Sequence, residues 1–438
     1  MIEADSVEAV VAAVRRARTE KVPLCVAGGR HAMGGQQFCS GGLLLDARRL
    51  SRVLELDEAR GTVTVEAGVQ WPALLDYLST STWSIAQKQT GADRLTIGGA
   101  ISANAHGRGL RMAPLVSDVE ELTVVGPEGS LSRCSRDENA ELFRLVAGGY
   151  GLLGVIYSAK LRLTRRRTLE RVVEVRDIEG LPEDFERRIA DGFLYGDFQF
   201  AIDPAGDDFL RRGVFSCYQP VDDDLPIPAG QHVLTREDWG RLLLLTHTDK
   251  AQAFERYAKH YLSTSGQLYF SDAHQFGDYV DGYHAALDEL MGAEHPATEM
   301  ITEIYVPRSR LVDFMAEVAS DFRANDVNVI YGTVRLIERD EDSFLAWAGE
   351  PWACVIFNLH TVHTREGIEH SKGAFRRLID YAIARGGSYF LTYHRWATPE
   401  QVLACYPQMV DFLALKRRYD SEERFQSDWY RHYRDAFA

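Results

Sequence analysis

The sequence has no closely spaced cysteines and no long apolar run. Its six cysteines are spread out without a CxxC pair, which excludes a zinc ribbon and a thioredoxin-type motif. We expect reduced, mostly buried thiols, because a free cysteine behaves as a small hydrophobic residue. No apolar stretch approaches the roughly 20 residues of a membrane span, and residues 1–16 lack the basic start and apolar core of a secretory signal. These absences predict a cytoplasmic protein with no membrane partner.

Positive charge is also in short supply. The chain has 49 Lys and Arg against 64 Asp and Glu, a formal net charge of -15. Such a surface repels phosphate backbones, so nucleic acid is not expected as a partner, whereas a small-molecule substrate is. The 438 residues are 45% hydrophobic and 26% charged, which is typical of a globular protein. A chain of this length exceeds one small core and predicts two domains.

Short helices and many short strands alternate in the first part of the chain, residues 1–167. Apolar spacing predicts helices over 6–19, 71–78 and 139–146, and strands over 22–27, 43–46, 53–57, 62–66, 120–125, 131–134 and 155–163. Residues 168–395 follow with extended stretches at 198–202, 300–306, 329–337, 353–361 and 388–392, and helices over 308–325 and 371–385. From Thr298 the order of strands and helices suits an antiparallel sheet with helices on one face. The predicted fold class is α+β.

Two further segments follow from the composition of the chain. The Pro- and Asp-rich stretch 221–230 predicts an exposed loop or the edge of a lid. The last section, 398–438, predicts a helix followed by a basic, aromatic tail.

The first glycine-rich segment is Val26-Ala-Gly-Gly-Arg-His-Ala-Met-Gly-Gly-Gln36. Glycines let backbone N–H groups turn toward an anion such as a diphosphate, although a plain surface turn has the same composition. The segment is not a P-loop, because Gly-Lys-Ser/Thr is missing. It is not a dinucleotide Rossmann turn either, because a strand follows it rather than a helix.

Two further glycine-rich segments follow. Gly149-Tyr-Gly-Leu-Leu-Gly154 matches G-x-G-x-x-G by letter. A helix precedes it and a strand follows, the reverse of the required context, so we reject nicotinamide binding. Residues 91–107 carry small side chains at nearly every step, which suits either a flat ligand near the backbone or a tightly packed helix. His106, taken alone, fits a core histidine as well as a catalyst.

Polar residues recur on the predicted strands of the second section. Thr333 and Arg335 share one face, as do Asn358 and His360. Such a face suits the floor of a polar pocket or a solvent-facing sheet. His360, His363 and His370 have no helical partner and no clustered carboxylate, so we predict no metal site. A serine-hydrolase GxSxG elbow is absent.

In their order along the chain, these motifs resemble the vanillyl-alcohol-oxidase-type (PCMH-type) FAD-binding oxidoreductases. The motifs are the His31 loop, Val63-Thr-Val-Glu-Ala-Gly68, Thr96-Ile-Gly-Gly99, His106-Gly107 and Gly149-Tyr-Gly-Leu-Leu-Gly-Val-Ile156. The C-terminus, with Tyr406-Pro, Leu415-Lys-Arg-Arg, Asp420 and Arg424-Phe-Gln-Ser-Asp428, is similar to the tails of alditol, aldonolactone and decaprenylphosphoryl-ribose oxidases.

The resemblance implies an FAD-binding domain of two subdomains over 1–167, a substrate-binding cap over 168–395 with an antiparallel sheet flanked by helices, and a segment over 396–438 that returns to the FAD domain. It implies FAD as the cofactor. In the alditol and aldonolactone oxidases the histidine at the place of His31 is bonded covalently to the flavin, so the resemblance to that branch implies the same bond through His31. The implied cofactor-binding residues are Ala27, Gly28, Gly29, Arg30, His31, Ala32, Gly34, Gly35, Gln36, Thr96, Gly98, Gly99, Ser102, Ala103, His106, Gly107, Gly151, Gly154, Val155 and Ile156.

The chain departs from the family at the catalytic positions. Thr333-Val-Arg335 stands where alditol oxidases carry Glu-x-Arg, and Tyr393-His-Arg-Trp396 lacks the family's lysine. We expect oxidation of a CH–OH group on a polyol, sugar or lactone, with His394, Tyr393 and His360 as candidate bases and Arg335 stabilising negative charge. Oxygen, another acceptor or a reductase partner would reoxidise the flavin. Alternatives are a tailoring oxidase for a larger substrate, a ribose-oxidase-type component of an epimerase, and a flavin-binding protein without turnover.

Overall fold

We analysed a computed structural model, which describes residues 1–277 and 282–438. Within these residues the strands, in chain order, are β1 (Ile2–Glu3), β2 (Leu24–Ala27), β3 (Leu43–Asp46), β4 (Val53–Asp57), β5 (Thr62–Glu66), β6 (Trp83–Ile85), β7 (Val119–Val125), β8 (Leu131–Ser135), β9 (Val155–Arg165), β10 (Thr168–Asp177), β11 (Tyr195–Phe200), β12 (Arg212–Pro220), β13 (Leu268–Phe270), β14 (Ala297–Pro307), β15 (Val329–Ile337), β16 (Trp352–Val362) and β17 (Ser388–Tyr389).

The helices of the same residues are α1 (Val7–Glu20), α2 (Trp71–Leu78), α3 (Ile97–Ala103), α4 (Ala140–Val146), α5 (Leu181–Ala190), α6 (Arg236–Thr248), α7 (Lys250–Ser263), α8 (Tyr283–Met291), α9 (Leu311–Ala324), α10 (Arg365–Ile383), α11 (Pro399–Cys405), α12 (Met409–Tyr419) and α13 (Asp428–Ala436). Helices and antiparallel sheets are mixed, in agreement with the predicted α+β class. None of the described helices combines the length and the apolar character that crossing a bilayer requires.

Two sheets form in the first part of the chain. The smaller one is parallel, in the order β1-β3-β2, and the larger follows β4-β5-β9-β7-β8 with β6 on β9. Helix α1 packs its buried Val10, Ala13 and Val14 on the small sheet, and the Ser6 hydroxyl caps it by accepting from the Ala9 N–H. Between these sheets run the glycine-rich segments and α3.

The third sheet is antiparallel and has the order β13-β10-β12-β11-β15-β16-β14-β17. One face carries Phe215, Val334 and Phe357, which are almost completely buried. Phe357 contacts Phe322 of α9 at 5.3 Å between ring centroids, and α10 packs beside it on β14 and β16. The apolar side chains of the sheet pack against α9 and α10 on this face. Because side chains alternate along a strand, the polar residues lie on the opposite face.

The C-terminal residues reach back to the first sheet. The Leu24 N–H donates to the Arg424 carbonyl at 2.7 Å, and the Gln426 N–H donates to the Leu24 carbonyl at 3.0 Å. The basic, aromatic tail predicted after the helix ends in a further helix, α13, whose Trp429 and Tyr433 are buried. The strand expected over 388–392 ends at Tyr389, while residues 221–230 lie outside any helix or strand, as predicted.

All six cysteines are free, as predicted, and four of them are buried.

Candidate flavin and substrate site

The polar face of the third sheet is built from alternate residues of neighbouring strands. Thr333 of β15 lies opposite Gln199 of β11, and Arg335 lies opposite Cys354 of β16. Tyr305 of β14 also pairs with Cys354, which brings these strands into one row. The register therefore places Arg335, Cys354 and Tyr305 side by side on the face that α9 and α10 leave uncovered.

A buried carboxylate, Glu303, lies at the centre of this face. Its Oε1 accepts a hydrogen bond from the Tyr305 hydroxyl at 2.6 Å and lies 3.4 Å from Cys354 Sγ. Its Oε2 accepts from the Tyr393 hydroxyl at 3.0 Å. The Nε2 of His106, from the first part of the chain, contacts Oε1 directly. Glu303 thus joins the sheet, the 388–396 segment and the glycine-rich half of the molecule.

The environment keeps Glu303 ionised. Burial alone raises the pKa of this carboxyl, but the charge and hydrogen bond of His106, the Tyr305 hydroxyl and the charge of Arg335 outweigh burial and lower it to about 2. Burial and the Glu303 charge raise the pKa of Tyr393 well above its ordinary value, so that Tyr393 keeps its proton at neutral pH. The pair can hold or pass a proton at the Tyr393 hydroxyl.

Buried cations border the same space. Lys88 is paired with Asp93, and Arg108 lies 3.6 Å from Asp197. Burial lowers the pKa of Lys88, and the positive charges of Arg108 and Arg335 lower it further. The negative charge of Asp93 raises the pKa but does not outweigh burial. Lys88 and Arg108 thus each have a carboxylate partner, as buried charges in proteins generally do.

Several polar atoms on the face have no protein partner. Among the described residues, the buried atoms without a hydrogen bond include Gln199 Oε1, Ser216 Oγ, Thr333 Oγ1, Arg335 Nε and Asn358 Oδ1. Buried polar atoms are almost always hydrogen-bonded in proteins. Five unpaired atoms on one face therefore indicate a polar ligand or ordered water in contact with it.

The 28–36 loop and the start of α3 form a closely packed cradle. A Cβ added to Gly28 would lie 2.1 Å from Thr96 Oγ1, and one added to Gly29 would lie 2.3 Å from the Arg94 carbonyl oxygen. The loop thus approaches α3 at distances that glycine permits and a larger side chain would block. Around it, Ala27 ends β2, the Arg30 guanidinium lies 3.0 Å from Asp46, and His31 is exposed.

The second half of this loop contacts the segment that carries Tyr393. The N–H groups of Met33 and Gly34 donate to the Thr392 carbonyl at 3.2 and 3.1 Å, and Gln36 Nε2 donates to the carbonyls of Leu391 and Thr392. The N–H of Gly34 therefore serves the protein and not a diphosphate. Ala32 and Gly35 complete the turn, with the Ala32 carbonyl accepting from Gln37 Nε2.

Helix α3 carries most of the other predicted cofactor residues. Thr96 caps it through the Gly99 N–H, and a Cβ on Gly98 would lie 2.7 Å from that of Ala67. The carbonyl of Ser102 accepts from Tyr150, which brings the Gly151–Gly154 turn beside Ser102 and Ala103. Small residues therefore make a packed helix here, which is one of the two interpretations that the sequence allowed for segment 91–107.

Four predicted cofactor residues lie beyond this cradle. His106 and Gly107 follow α3, and the His106 Nδ1 lies 2.9 Å from the Gly107 carbonyl. His106 turns toward Glu303 and so belongs to the substrate side of the site. Val155 and Ile156 are β9 residues whose side chains are buried in the two cores.

The four predicted catalytic residues separate into two groups. Tyr393 and Arg335 meet around Glu303. His394, next in the chain, packs against Trp396 with the ring centroids 4.5 Å apart and the rings tilted by 37°. Burial together with the Arg395 charge lowers the pKa of His394 to about 4. His360 lies at the other end of the sheet face. Neither histidine contacts Glu303 in the described part of the chain.

The sequence interpretation missed Glu303 as the centre of the site. Glu303 and Tyr305 stand at spacing two on one face of β14, the same signal that singled out Thr333 and Arg335. The premise of the metal prediction is also wrong, since Glu299 lies opposite His360 and 3.4 Å from its Nδ1. That carboxylate is 61 residues away in sequence, beyond the reach of spacing arguments.

Comparison with known proteins agrees with the cradle. Residues 1–135 match a family described as an FAD binding domain. An L-gulono-1,4-lactone dehydrogenase of Mycobacterium tuberculosis is 24% identical over 90% of this chain and 86% of its own length. An uncharacterized oxidoreductase of the Rhodococcoides fascians fasciation locus is 34% identical, and mouse L-gulonolactone oxidase 30% identical, each over 35% of this chain.

The chain spans about a third of the length of these last two relatives, 34% in each. The match to the FAD binding domain, residues 1–135, includes the 28–36 loop and α3. The chain thus binds FAD through its N-terminal residues and is similar, as its motifs predicted, to the PCMH-type FAD-binding oxidoreductases.

Proposed function

We propose that the protein oxidises a CH–OH group of a small polyhydroxylated substrate, a sugar-derived lactone or a related polyol. The observation that carries the proposal is the set of five unpaired polar atoms on the sheet face beside Glu303. Hydroxyl and ring oxygens of such a substrate would pair with them. The names of two relatives, L-gulono-1,4-lactone dehydrogenase and L-gulonolactone oxidase, support the lactone class.

FAD, when bound, supplies the acceptor for the hydride of the substrate carbon. Arg335 donates to the substrate oxygen and stabilises the negative charge that grows there as the hydroxyl proton leaves. That proton passes to the Tyr393 oxygen while Tyr393 gives its own proton to Oε2 of Glu303, 3.0 Å away. His106 and Tyr305 hold Glu303 in place from the other side.

Turnover with candidate substrates tests the proposal. L-Gulono-1,4-lactone, other aldonolactones and alditols are supplied with either oxygen or an artificial electron acceptor, and flavin bleaching is followed under anaerobic conditions. We expect bleaching by at least one of these substrates. Bound FAD that none of them reduces would contradict the proposal and favour a flavin-binding protein without turnover or an enzyme for larger substrates.

Variants of the sheet face give the second test. Tyr393→Phe removes the proton-transfer group and should lower kcat/KM by roughly 10²- to 10⁴-fold, and Arg335→Met should lower it comparably, because each removes a contact to the reacting oxygen. Both should keep FAD. His363→Gln, on an exposed residue at the end of β16, is the matched control and should leave kcat/KM unchanged. Full activity of Tyr393→Phe would remove Tyr393 from the mechanism.

We also propose that His31 bonds covalently to the flavin. The support is its place in the exposed loop beside Gly29, whose added Cβ would lie 3.0 Å from the His31 Nδ1. Acid precipitation should leave the yellow colour with the wild-type polypeptide and release it from His31→Ala. Colour released from the wild type would refute the covalent bond and leave FAD binding untouched.

A further inference from the structure

A second polar cluster lies on the same sheet face, away from Glu303. Its centre is Glu299 of β14, four residues before Glu303 and so about 13 Å from it along the strand. Glu299 pairs across the sheet with His360 of β16. His247, in the last turn of α6, and His284, in α8, reach it from outside the sheet. Side-chain exposure is 6% for Glu299 and 1% for His247, so this is an interior cluster.

The two oxygens of Glu299 have different surroundings. Oε2 accepts short hydrogen bonds, both 2.6 Å long, from the Tyr283 hydroxyl and from His284 Nδ1. Oε1 has only two distant ring nitrogens, His360 Nδ1 at 3.4 Å and His247 Nε2 at 3.5 Å. The His247 Nε2 is buried and makes no hydrogen bond within the described residues. One side of the carboxylate is therefore satisfied, and the other faces two nitrogen atoms across a gap.

We propose that this gap binds one divalent cation, with Zn²⁺ preferred, through Glu299 Oε1, His247 Nε2 and His360 Nδ1. All three atoms lie within 4.8 Å of one another. Zinc bonds of 2.0–2.1 Å at tetrahedral angles put neighbouring ligand atoms roughly 3.4 Å apart. The distances from Glu299 Oε1 to His360 Nδ1, 3.4 Å, and to His247 Nε2, 3.5 Å, match this separation between zinc ligands. Hydrogen bonds between nitrogen and oxygen are shorter and cluster near 2.9 Å.

The donor set and its support fit the same ion. Two imidazoles and one carboxylate suit zinc and its neighbours in the first transition series. His284 and Tyr283 hold Oε2 and so aim Oε1 at the ion, which is how outer hydrogen bonds orient the ligands of known metal sites. Three protein ligands leave the fourth tetrahedral position to water.

The Glu303 cluster makes an instructive contrast. His106, Glu303 and Cys354 also bring three possible ligand atoms close together. There, however, Glu303 Oε1 already accepts from His106 and from the Tyr305 hydroxyl. Direct hydrogen bonds fill the position that an ion would take, and we assign no metal to that cluster.

The ion would tie α6 to the sheet. His247 lies at the end of α6, while Glu299 and His360 belong to adjacent sheet strands. His247 and His360 meet edge to face at 4.9 Å between ring centroids, without a hydrogen bond between them to fix the helix. A bound cation would turn this loose contact into a cross-link between the helix and the sheet that forms the substrate pocket.

Zinc binding to the purified full-length flavoprotein tests the proposal. The protein is prepared without a histidine tag, treated with a chelator, dialysed and titrated with Zn²⁺ alone by calorimetry. We expect about one Zn²⁺ per chain, a rise in Tm of several degrees because the ion binds only the folded state, and, with Co²⁺, ligand-field absorption at wavelengths longer than the flavin bands.

Single substitutions locate the site. Glu299→Gln, His247→Gln and His360→Gln should each weaken Zn²⁺ binding by more than about 100-fold, and His284→Gln by about 10- to 100-fold. His363→Gln, exposed on the same strand end, should bind like the wild type. Retained flavin absorbance and circular dichroism verify the fold of each variant.

Two results would overturn the proposal. One is wild-type protein that binds neither Zn²⁺ nor Co²⁺, Mn²⁺ or Fe²⁺ at about one ion per chain, which would leave a purely hydrogen-bonded cluster. The other is Zn²⁺ affinity that Glu299→Gln leaves unchanged. Neither result bears on the oxidation proposed above, since that reaction is assigned to Arg335, Tyr393 and Glu303.

Discussion

Glu303 is 2% exposed and receives hydrogen bonds from Tyr305, Tyr393 and His106. An ionised carboxylate in a protein interior is unfavourable unless its oxygens are satisfied in this way. Each of the surrounding groups therefore has a structural task in addition to any chemical one. Removal of a single partner leaves a buried charge incompletely solvated, which is costlier than removal of a neutral pair.

Acid sensitivity provides a test at this residue. Because the pKa of folded Glu303 is about 2 against an ordinary 4.5, the unfolded chain takes up the proton first as the pH falls. The stabilisation is present above about pH 4.5 and is lost progressively toward pH 2. Glu303→Gln should therefore show a shallower loss of unfolding free energy between about pH 5 and pH 3 than the wild type does, as measured by urea unfolding.

The matched control is Glu350→Gln, at an exposed position, which should keep the wild-type slope. Equal slopes for wild type and Glu303→Gln would show that the proton is taken up elsewhere.

Among the secondary-structure elements, β9 depends on the turn that precedes it. Gly154 has φ +152°, and an added Cβ would lie 2.6 Å from Val124 Cγ1 of β7. Gly154→Ala should lower Tm by several degrees, because the strain and the clash both displace a strand that pairs with β5 and β7. Gly151→Ala shares a positive φ of +74° but meets nothing within 4 Å. Gly151→Ala should therefore lower Tm clearly less than Gly154→Ala does. An equal loss of Tm for the two variants in a thermal melt would contradict the role of the clash.

Local patterns predicted most of the strands and helices but not their partners. The spacing of Thr333 and Arg335 predicted the polar face of β15, since side chains alternate along any strand. The order of strands in the sheet depends on long-range packing. The sequence therefore did not indicate that Glu303 lies near Arg335, although the two are only 32 residues apart. The same limit applies to Glu299 and His360, whose contact follows from the pairing of β14 with β16.

The family resemblance supplied what local patterns lacked. It indicated the cofactor, which the match of residues 1–135 to an FAD binding domain confirms. It did not indicate the inward turn of His106 toward Glu303, because that contact joins two distant parts of the chain. The position of His360 away from Glu303 could not be predicted either, since it depends on the register in which β14 pairs with β16.

For the whole molecule, the C-terminal segment contacts both the 388–396 segment and the residues that follow the 28–36 loop. Trp429 Nε1 donates to the Leu391 carbonyl at 3.1 Å, and the Ser40 N–H donates to Asp428 Oδ1 at 3.0 Å. Truncation after Arg395 should abolish FAD retention although every glycine motif is intact, because the support of the 28–36 loop is lost. Removal of Phe437 and Ala438 alone should preserve retention. Gel filtration with flavin absorbance measures both, and a truncated chain that keeps its FAD would contradict this dependence.

The bond between Arg424 and the Val22 carbonyl spans 402 residues, which has a consequence for biosynthesis. Residues near Leu24 emerge from the ribosome long before the residues that pair with them. The small parallel sheet therefore cannot complete its contacts until residues 424–426 have been synthesised, and its edge stays open to chaperones, or to a neighbouring nascent chain, until then.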